Sequence, residues 1–475
     1  NAYGSASGGT GDGIRAVNQA GASGLTITAN NAEGGASGIR ALNQGSGALS
    51  ITATGQVMGS GTGQARSSAG ADGGIVARNS NANATDLTID ASGQVTGAGG
   101  YGIYARNDGT GDLRVTTTGQ VTGWVRPDGR RYEAIYAYNQ GRDLTIAATA
   151  GYAHGITALN TGSGALRITT ATTSNGRMFA VNTGTDLTIA AAAVSSGFQG
   201  GIYAYNHGTG VSSITATGPV TAGSRGIVAD TGGTDLTIAA AAVSGSSGIY
   251  AEHWGTGTAR ITTTGLVTAN SGDGIHAYNY NPGTGLTIST AAVSARDTGI
   301  YAINRNTGDL RITAAGPVTG TLHDGIQAWQ QGADLTISTA AVTGGRHGIY
   351  AGTSGFGSDT LTVTAAGAIT GGTGDGIHAL TDTLTVEATR VTGDTNGIYA
   401  RNAGSGPLSV TVSVAGDVTG QAGDGISALN SATGPGSGLL IGQAAGSTAT
   451  GAVHGIDADN AGGALTINAY GSASG

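Results

Sequence analysis

The chain has 475 residues, of which 91 are Gly, 6 are Pro and none is Cys, with charged residues at 10%. All 20 basic residues are Arg, and the net charge is −8. These figures exclude a collagen triple helix, a disulfide scaffold and a highly charged disordered chain. No run of 18 apolar residues exists, so no membrane-spanning helix is expected.

Along the chain one motif returns: Gly-Ile-x-Ala-x-Asn. It opens as Gly13-Ile14-Arg15-Ala16-Val17-Asn18 and recurs at 38–43, 74–79, 102–107, 155–160 and 201–206. Further copies stand at 274–279, 299–304, 397–402, 425–430 and 455–460, and weaker ones centre on Ile135, Met178, Ile227, Ile249, Ile326, Ile349 and Ile377. From Ile14 to Ile456 the 17 intervals average 26 residues, a period that signals a solenoid. A second run follows each anchor, as in Leu25-Thr26-Ile27 or Leu310-Arg311-Ile312. A third centres on a Val, as at Val57, Val95, Val220 and Val318. All three runs alternate with period 2 and are separated by Gly, Asn, Asp, Ser and Thr, so they read as strands and turns. Apolar spacing at i, i+3, i+4 and i+7 is missing, and Gly and Thr at this density oppose helix.

The expected fold is therefore all-β. It is a single right-handed parallel β-helix over 1–475, with about 18 three-strand coils and no significant α-helix. At about 4.8 Å per coil such a rod is roughly 85 Å long. Ile and Ala of the anchor point inward, and so do Leu and Ile of the second run. Asn stands four residues after the anchor in 13 of 18 coils, which predicts an Asn ladder at a turn that satisfies backbone groups and tolerates left-handed backbone geometry. From about residue 184 the unit doubles. Asp273, Asp324 and Asp375 precede their anchors 51 residues apart, the mark of a duplicated two-coil module.

The segment Gly-Ile-Tyr-Ala-Arg-Asn-Asp-Gly-Thr-Gly-Asp-Leu-Arg-Val-Thr-Thr-Thr-Gly-Gln-Val-Thr-Gly at 102–123 resembles coils from the passenger regions of large bacterial autotransporter adhesins. The resemblance covers nearly the whole chain and implies a secreted β-helix on a bacterial cell surface. Zero Cys is in keeping with it. The family's signal and membrane barrel are not part of this sequence. Asn1-Ala2-Tyr3-Gly4 shows neither a charged nor an apolar leader region.

Ten of the 16 Tyr fall at outward positions of the anchor strands. Tyr104, Tyr136, Tyr138, Tyr203, Tyr205, Tyr250, Tyr278, Tyr301, Tyr350 and Tyr399, with Trp329, form the expected aromatic face for glycans, proteins or self-association. A structural ladder of rings is the plain alternative. An inserted loop at 124–133 breaks the period and adds Trp124, Arg126, Arg130, Arg131 and Tyr132 as a second binding candidate. Asp230 and Glu252, with His253 and His276 nearby, are the only carboxylate pairing that suggests a polysaccharide-cleaving β-helix enzyme. They lack the Arg and Asp cluster such chemistry needs, so no catalytic residue is assigned. His is scattered without metal-ligand spacing, and Asp residues two coils apart stand too far from one another to share a calcium ion, so neither metal nor cofactor is expected. A Lys-free acidic chain argues against nucleic acid, and contact with a membrane is expected only through parts outside this chain.

Residues 1–8 and 468–475 carry the same string, Asn-Ala-Tyr-Gly-Ser-Ala-Ser-Gly. The repeat predicts that the chain is one period of a longer solenoid or a subunit stacking end to end. Fibres or end-to-end oligomers in electron microscopy are the expected result. A stable monomer with protected terminal coils in hydrogen exchange is the contrary one.

Overall fold

Branched residues alternating with small polar ones favour extended backbone, and Gly-rich turns keep each run short. The computed structural model describes residues 2–61, 72–125, 131–149, 151–197, 199–280, 282–353, 359–402, 406–412 and 416–475. The described residues form strands and turns with no helix. Contacts divide the chain into two units, Asn1–Ser224 with Val228–Thr234, and Arg225–Ile227 with Asp235–Gly475. Each is a parallel β-solenoid, and the chain makes about 17 turns, close to the 18 coils expected.

In the first unit the anchor strands stack in strict register: Ile103 on Ile135, Ile135 on Ile156, Ile156 on Met178 and Met178 on Ile202. The second unit repeats this from Ile249 through Ile275, Ile300, Ile326, Ile349, Ile377, Ile398 and Ile426 to Ile456. The Leu and Val runs build the other sheet, as in Leu113 on Leu144 and Val57 on Val95. One expectation needs correcting. The second and third runs merge into one long strand at Leu25–Gly34, Leu166–Asn175, Leu187–Ser196, Thr360–Gly371 and Thr383–Gly393. Four of these links contain no Gly, but the lack of Gly does not decide the matter, because Leu236–Ala240 and Val243–Gly245 stay separate across an equally Gly-free Ala-Ala link. The two copies of the terminal string hold the same phase: Ser5 to Gly8 pair with a third run, and so do Ser472 to Ser474.

The core is a column of fully buried Ile, Leu and Val, with Ala at the second inward position of each anchor strand. Fully burying one such branched side chain contributes about 1.5–3 kcal/mol, so the column drives stacking. The anchor Gly has a steric cause. A Cβ on Gly102 would lie 2.6 Å from the Ala134 carbonyl oxygen of the next coil and 2.6 Å from Val121 Cγ1 of its own coil. On Gly376 it would meet Val391 Cγ1 at 2.6 Å and the Gly397 oxygen at 2.7 Å. The chain enters the anchor strand where two coils and a core Val converge, and only a hydrogen fits.

Candidate functional site

Behind most anchor strands the Asn ladder is present. Asn18 Nδ2 donates to Asn43 Oδ1 at 2.7 Å, and Asn43 donates to Asn79 at 3.0 Å. The chain of bonds continues through Asn107, Asn139, Asn160 and Asn182 to Asn206. Each rung also tends its own turn: Asn139 Nδ2 donates to the Asp143 carbonyl, and Asn139 Oδ1 accepts the Gly141 N–H. In the second unit His253 Nδ1 faces Asn279 Oδ1 at 2.8 Å, Asn279 donates to Asn304, and Asn304 donates to Gln330 Oε1. The left-handed part of the expectation is corrected. His154 is the only described non-Gly residue with positive φ, so the ladder Asn residues keep ordinary backbone and act through their amides.

The outward rings of the first unit gather in two groups. Tyr104 and Tyr136 stack at 5.3 Å with 2° between planes, because their strands pair in register. Tyr101, the first residue of the strand Tyr101–Asn107, touches both, and Tyr132 meets Tyr101 edge-on at 5.1 Å. Trp124 stacks on Tyr132, while Val125 bridges Arg131 across the loop. The loop and the aromatic face, predicted separately, thus join in one cluster, with Arg131 exposed at its edge. Burial, then the Glu133 carboxylate, pushes the Tyr101 hydroxyl far above its ordinary value. Arg106 lies over the Tyr138 ring at 4.9 Å. Arg126 and Arg130 lie outside the described residues. Thr157 then interrupts the strip, and Phe179, Tyr203 and Tyr205 form the second group.

In the second unit Tyr250, His276 and Tyr301 stack in consecutive coils at 4.8 and 4.6 Å. Tyr278 and Tyr280 stack beside them, and Trp254 lies flat on Tyr280. Arg225 covers Tyr250, and Arg305 covers Tyr278. Burial pushes the Tyr250 hydroxyl up to about 12, helped by its hydrogen bond to Glu252, and pushes Tyr301 up to about 12 as well. Both are neutral phenols at any physiological pH. Gln327 interrupts the strip, with Trp329 beside it folded over Gly352 and edge-on to Tyr350. A groove of about 500 Å³ runs between Ile303, Arg305, Trp329 and Gln331. Tyr350, His378 and Tyr399 complete the strip. The outward rings are therefore grouped in segments, and most are half-buried. His276, His378, Tyr280 and Trp254 belong to it and were missed. The column of outward positions already held both His residues, and imidazole stacks as Tyr does.

In the second unit the turns before the anchors from Ile326 to Ile456 carry a second ladder. Asp324 Oδ1 accepts the His347 N–H at 3.1 Å, and His347 Nδ1 accepts the Asp375 N–H at 2.9 Å. Asp375 Oδ1 accepts from Asn396, Asn396 Oδ1 from Asp424 and Asp424 Oδ1 from His454, each through the backbone N–H. This explains the 51-residue Asp period: Asp in one coil caps the turn of the next. Arg346 also forks the buried Asp324 carboxylate. His378 Nδ1 lies 2.8 Å from Asp375 Oδ2, and His347 Nδ1 lies 3.7 Å from the same oxygen. Burial lowers the His347 pKa. It pushes that of Asp375 up, but hydrogen bonds from His378 and Asn396 hold the carboxyl below its ordinary range. Donor atoms of His347, Asp375 and His378 lie within 4.8 Å of one another, as do those of Asp424, His454 and Asp457. Spacing along the chain hid these sets, because their members are one coil apart.

The carboxylates considered for catalysis have other engagements. Tyr250 donates to Glu252 Oε1 at 2.7 Å, His253 is fully buried in the Asn ladder, and His276 bonds Asp273. Comparison of the chain with protein-family models, with curated proteins and with solved structures finds no match.

Proposed function

We propose that this chain is a non-enzymatic structural and adhesive scaffold of a bacterial surface, akin to the passenger regions of autotransporter adhesins, and that its aromatic face binds glycans. The observation that carries this reading is the set of ring clusters on the outward side of the anchor strands, several flanked by Arg. Flat rings present an apolar face on which the C–H side of a sugar stacks, while phenol and guanidinium groups at the edge bond its hydroxyls. A solenoid repeats such a platform in several of its coils, so weak single contacts add by avidity.

Replacing Tyr203, Tyr250, Tyr301 and Tyr350 by Ser tests this. Cross-strand ring pairs contribute only about 0.2–1 kcal/mol each, so β-type circular dichroism should persist. Binding to a glycan array or to cells should fall by roughly tenfold or more, the loss of a few kcal/mol of stacking. Unchanged binding would reduce the face to an internal ladder of rings.

A further inference from the structure

The turn ladder and the aromatic strip meet at one place whose donor set neither explains. We propose that His347, Asp375 and His378 form a binding site for a divalent transition-metal ion of the Zn²⁺ class. His347 comes from the turn of one coil, Asp375 from the turn of the next, and His378 from the outward position three residues after Asp375. The ion thus clips two coils together.

Four observations converge. The donors are two imidazoles and one carboxylate, a set suited to Zn²⁺ and its neighbours and ill suited to Ca²⁺ or Mg²⁺. Their spacing is right. A tetrahedral ion with ligand bonds of about 2.0–2.1 Å holds its donors roughly 3.3 Å apart. The two Nδ1 to Asp375 Oδ2 distances, 2.8 and 3.7 Å, bracket that value. The lone pairs are available. His347 Nδ1 accepts a backbone N–H, so it carries no proton, and the ion replaces that one hydrogen bond. At His378 the ion takes the Nδ1 lone pair in the tautomer whose proton sits on Nε2, in place of the contact between Nδ1 and Asp375. Asp375 is already held from behind, because Asn396 donates to its other oxygen through both N–H and Nδ2. That is the outer-shell bond that orients a ligating carboxylate.

The fourth observation is that this place in the coil holds a cation elsewhere. In the first unit its counterparts are Asp12, Ser37 and Arg40. There the Arg40 guanidinium bonds Asp12 at 3.1 Å, Asp72 at 2.9 Å and Ser37 Oγ at 3.0 Å. The same three coil positions recur at Asp424, His454 and Asp457, with one imidazole instead of two. At Asp273 and His276 only the Asp–His pair is present, the turn of the preceding coil offering Ser247 in place of a second imidazole. The His347 site is the one with two imidazoles. Three protein donors leave a fourth position for water.

The test uses the whole chain, stripped with a chelator and titrated with Zn²⁺ alone by calorimetry. One equivalent should bind, and the nitrogen resonances of His347 and His378 should shift together. His378→Ala, which changes an outward side chain and leaves the backbone ladder intact, should weaken that equivalent by more than roughly tenfold. His276→Ala should leave it in place. Zn²⁺ should also raise the melting temperature of the wild type and not of His378→Ala, by mass action. No Zn²⁺ uptake by the wild type, or uptake by His378→Ala equal to it, would overturn the assignment. Circular dichroism of the variant confirms that it is folded when compared.

Discussion

Asn139→Ala is expected to lower the opening free energy of its own coil and of both neighbours by about 3–5 kcal/mol. The side chain is fully buried and holds four bonds: from Asn107 Nδ2, from the Gly141 N–H, to the Asp143 carbonyl and to Asn160 Oδ1. Ala removes all four. It leaves the Asn160 oxygen, the Gly141 N–H and one Asn107 amide proton without these partners in the interior, and each such group costs about 1–3 kcal/mol. Asn139→Gln should cost much less, since Gln330 serves as a rung between Asn304 and the carbonyls of Asn306 and Gly308. Native-state hydrogen exchange at 103–107, 135–139 and 156–160 reads the effect coil by coil. That is the proper measure for a repeat fold, where a single global transition is not assured. Equal exchange in Asn139→Ala and the wild type would show that the ladder contributes nothing.

Gly102→Ala should be the next most damaging single methyl. Its Cβ would meet the Ala134 carbonyl and Val121 Cγ1 at 2.6 Å each, and neither can give way alone. One is backbone of the next coil, and the other is a core Val with 1% exposure. Overpacking of this kind costs about 1–3 kcal/mol. Here it also pries apart the strands that carry Tyr104 and Tyr136, so near-ultraviolet circular dichroism from their stack should weaken as well. Gly151→Ala is the control, because its Cβ would have no neighbour within 4 Å. If the two variants melt alike, the close approach of the coils is not what selects Gly at the anchor.

Much of this architecture is written locally. A 26-residue period with three alternating runs admits few folds, because only parallel stacking returns the same side chain to the same place in every coil. The inward Ile, Leu and Val columns, the buried Asn ladder and the outward Tyr positions all follow from that register, and each is where the alternation puts it. Even the Asp273, Asp324 and Asp375 period was legible as a number, though not as a bond. What the tertiary structure alone decided depends on contacts between coils at unlike positions. Tyr101 joins the Tyr104–Tyr136 stack from the strand's first residue, three before Tyr104 and so out of the alternating phase, and Tyr132 reaches Tyr101 from a loop that no alternation rule relates to a strand. Merged strands such as Leu187–Ser196 depend on whether a small-residue link stays extended, and its neighbours across the sheet settle that. His347, Asp375 and His378 converge because the turn of one coil lies against the turn and first outward residue of the next. In sequence they are 28 and 3 residues apart, a separation that acquires meaning only once the length of that particular coil is known. Ladders of like residues are periodic and can be read along the chain. Sites made of unlike residues need the pitch, the turn and the neighbouring coil together.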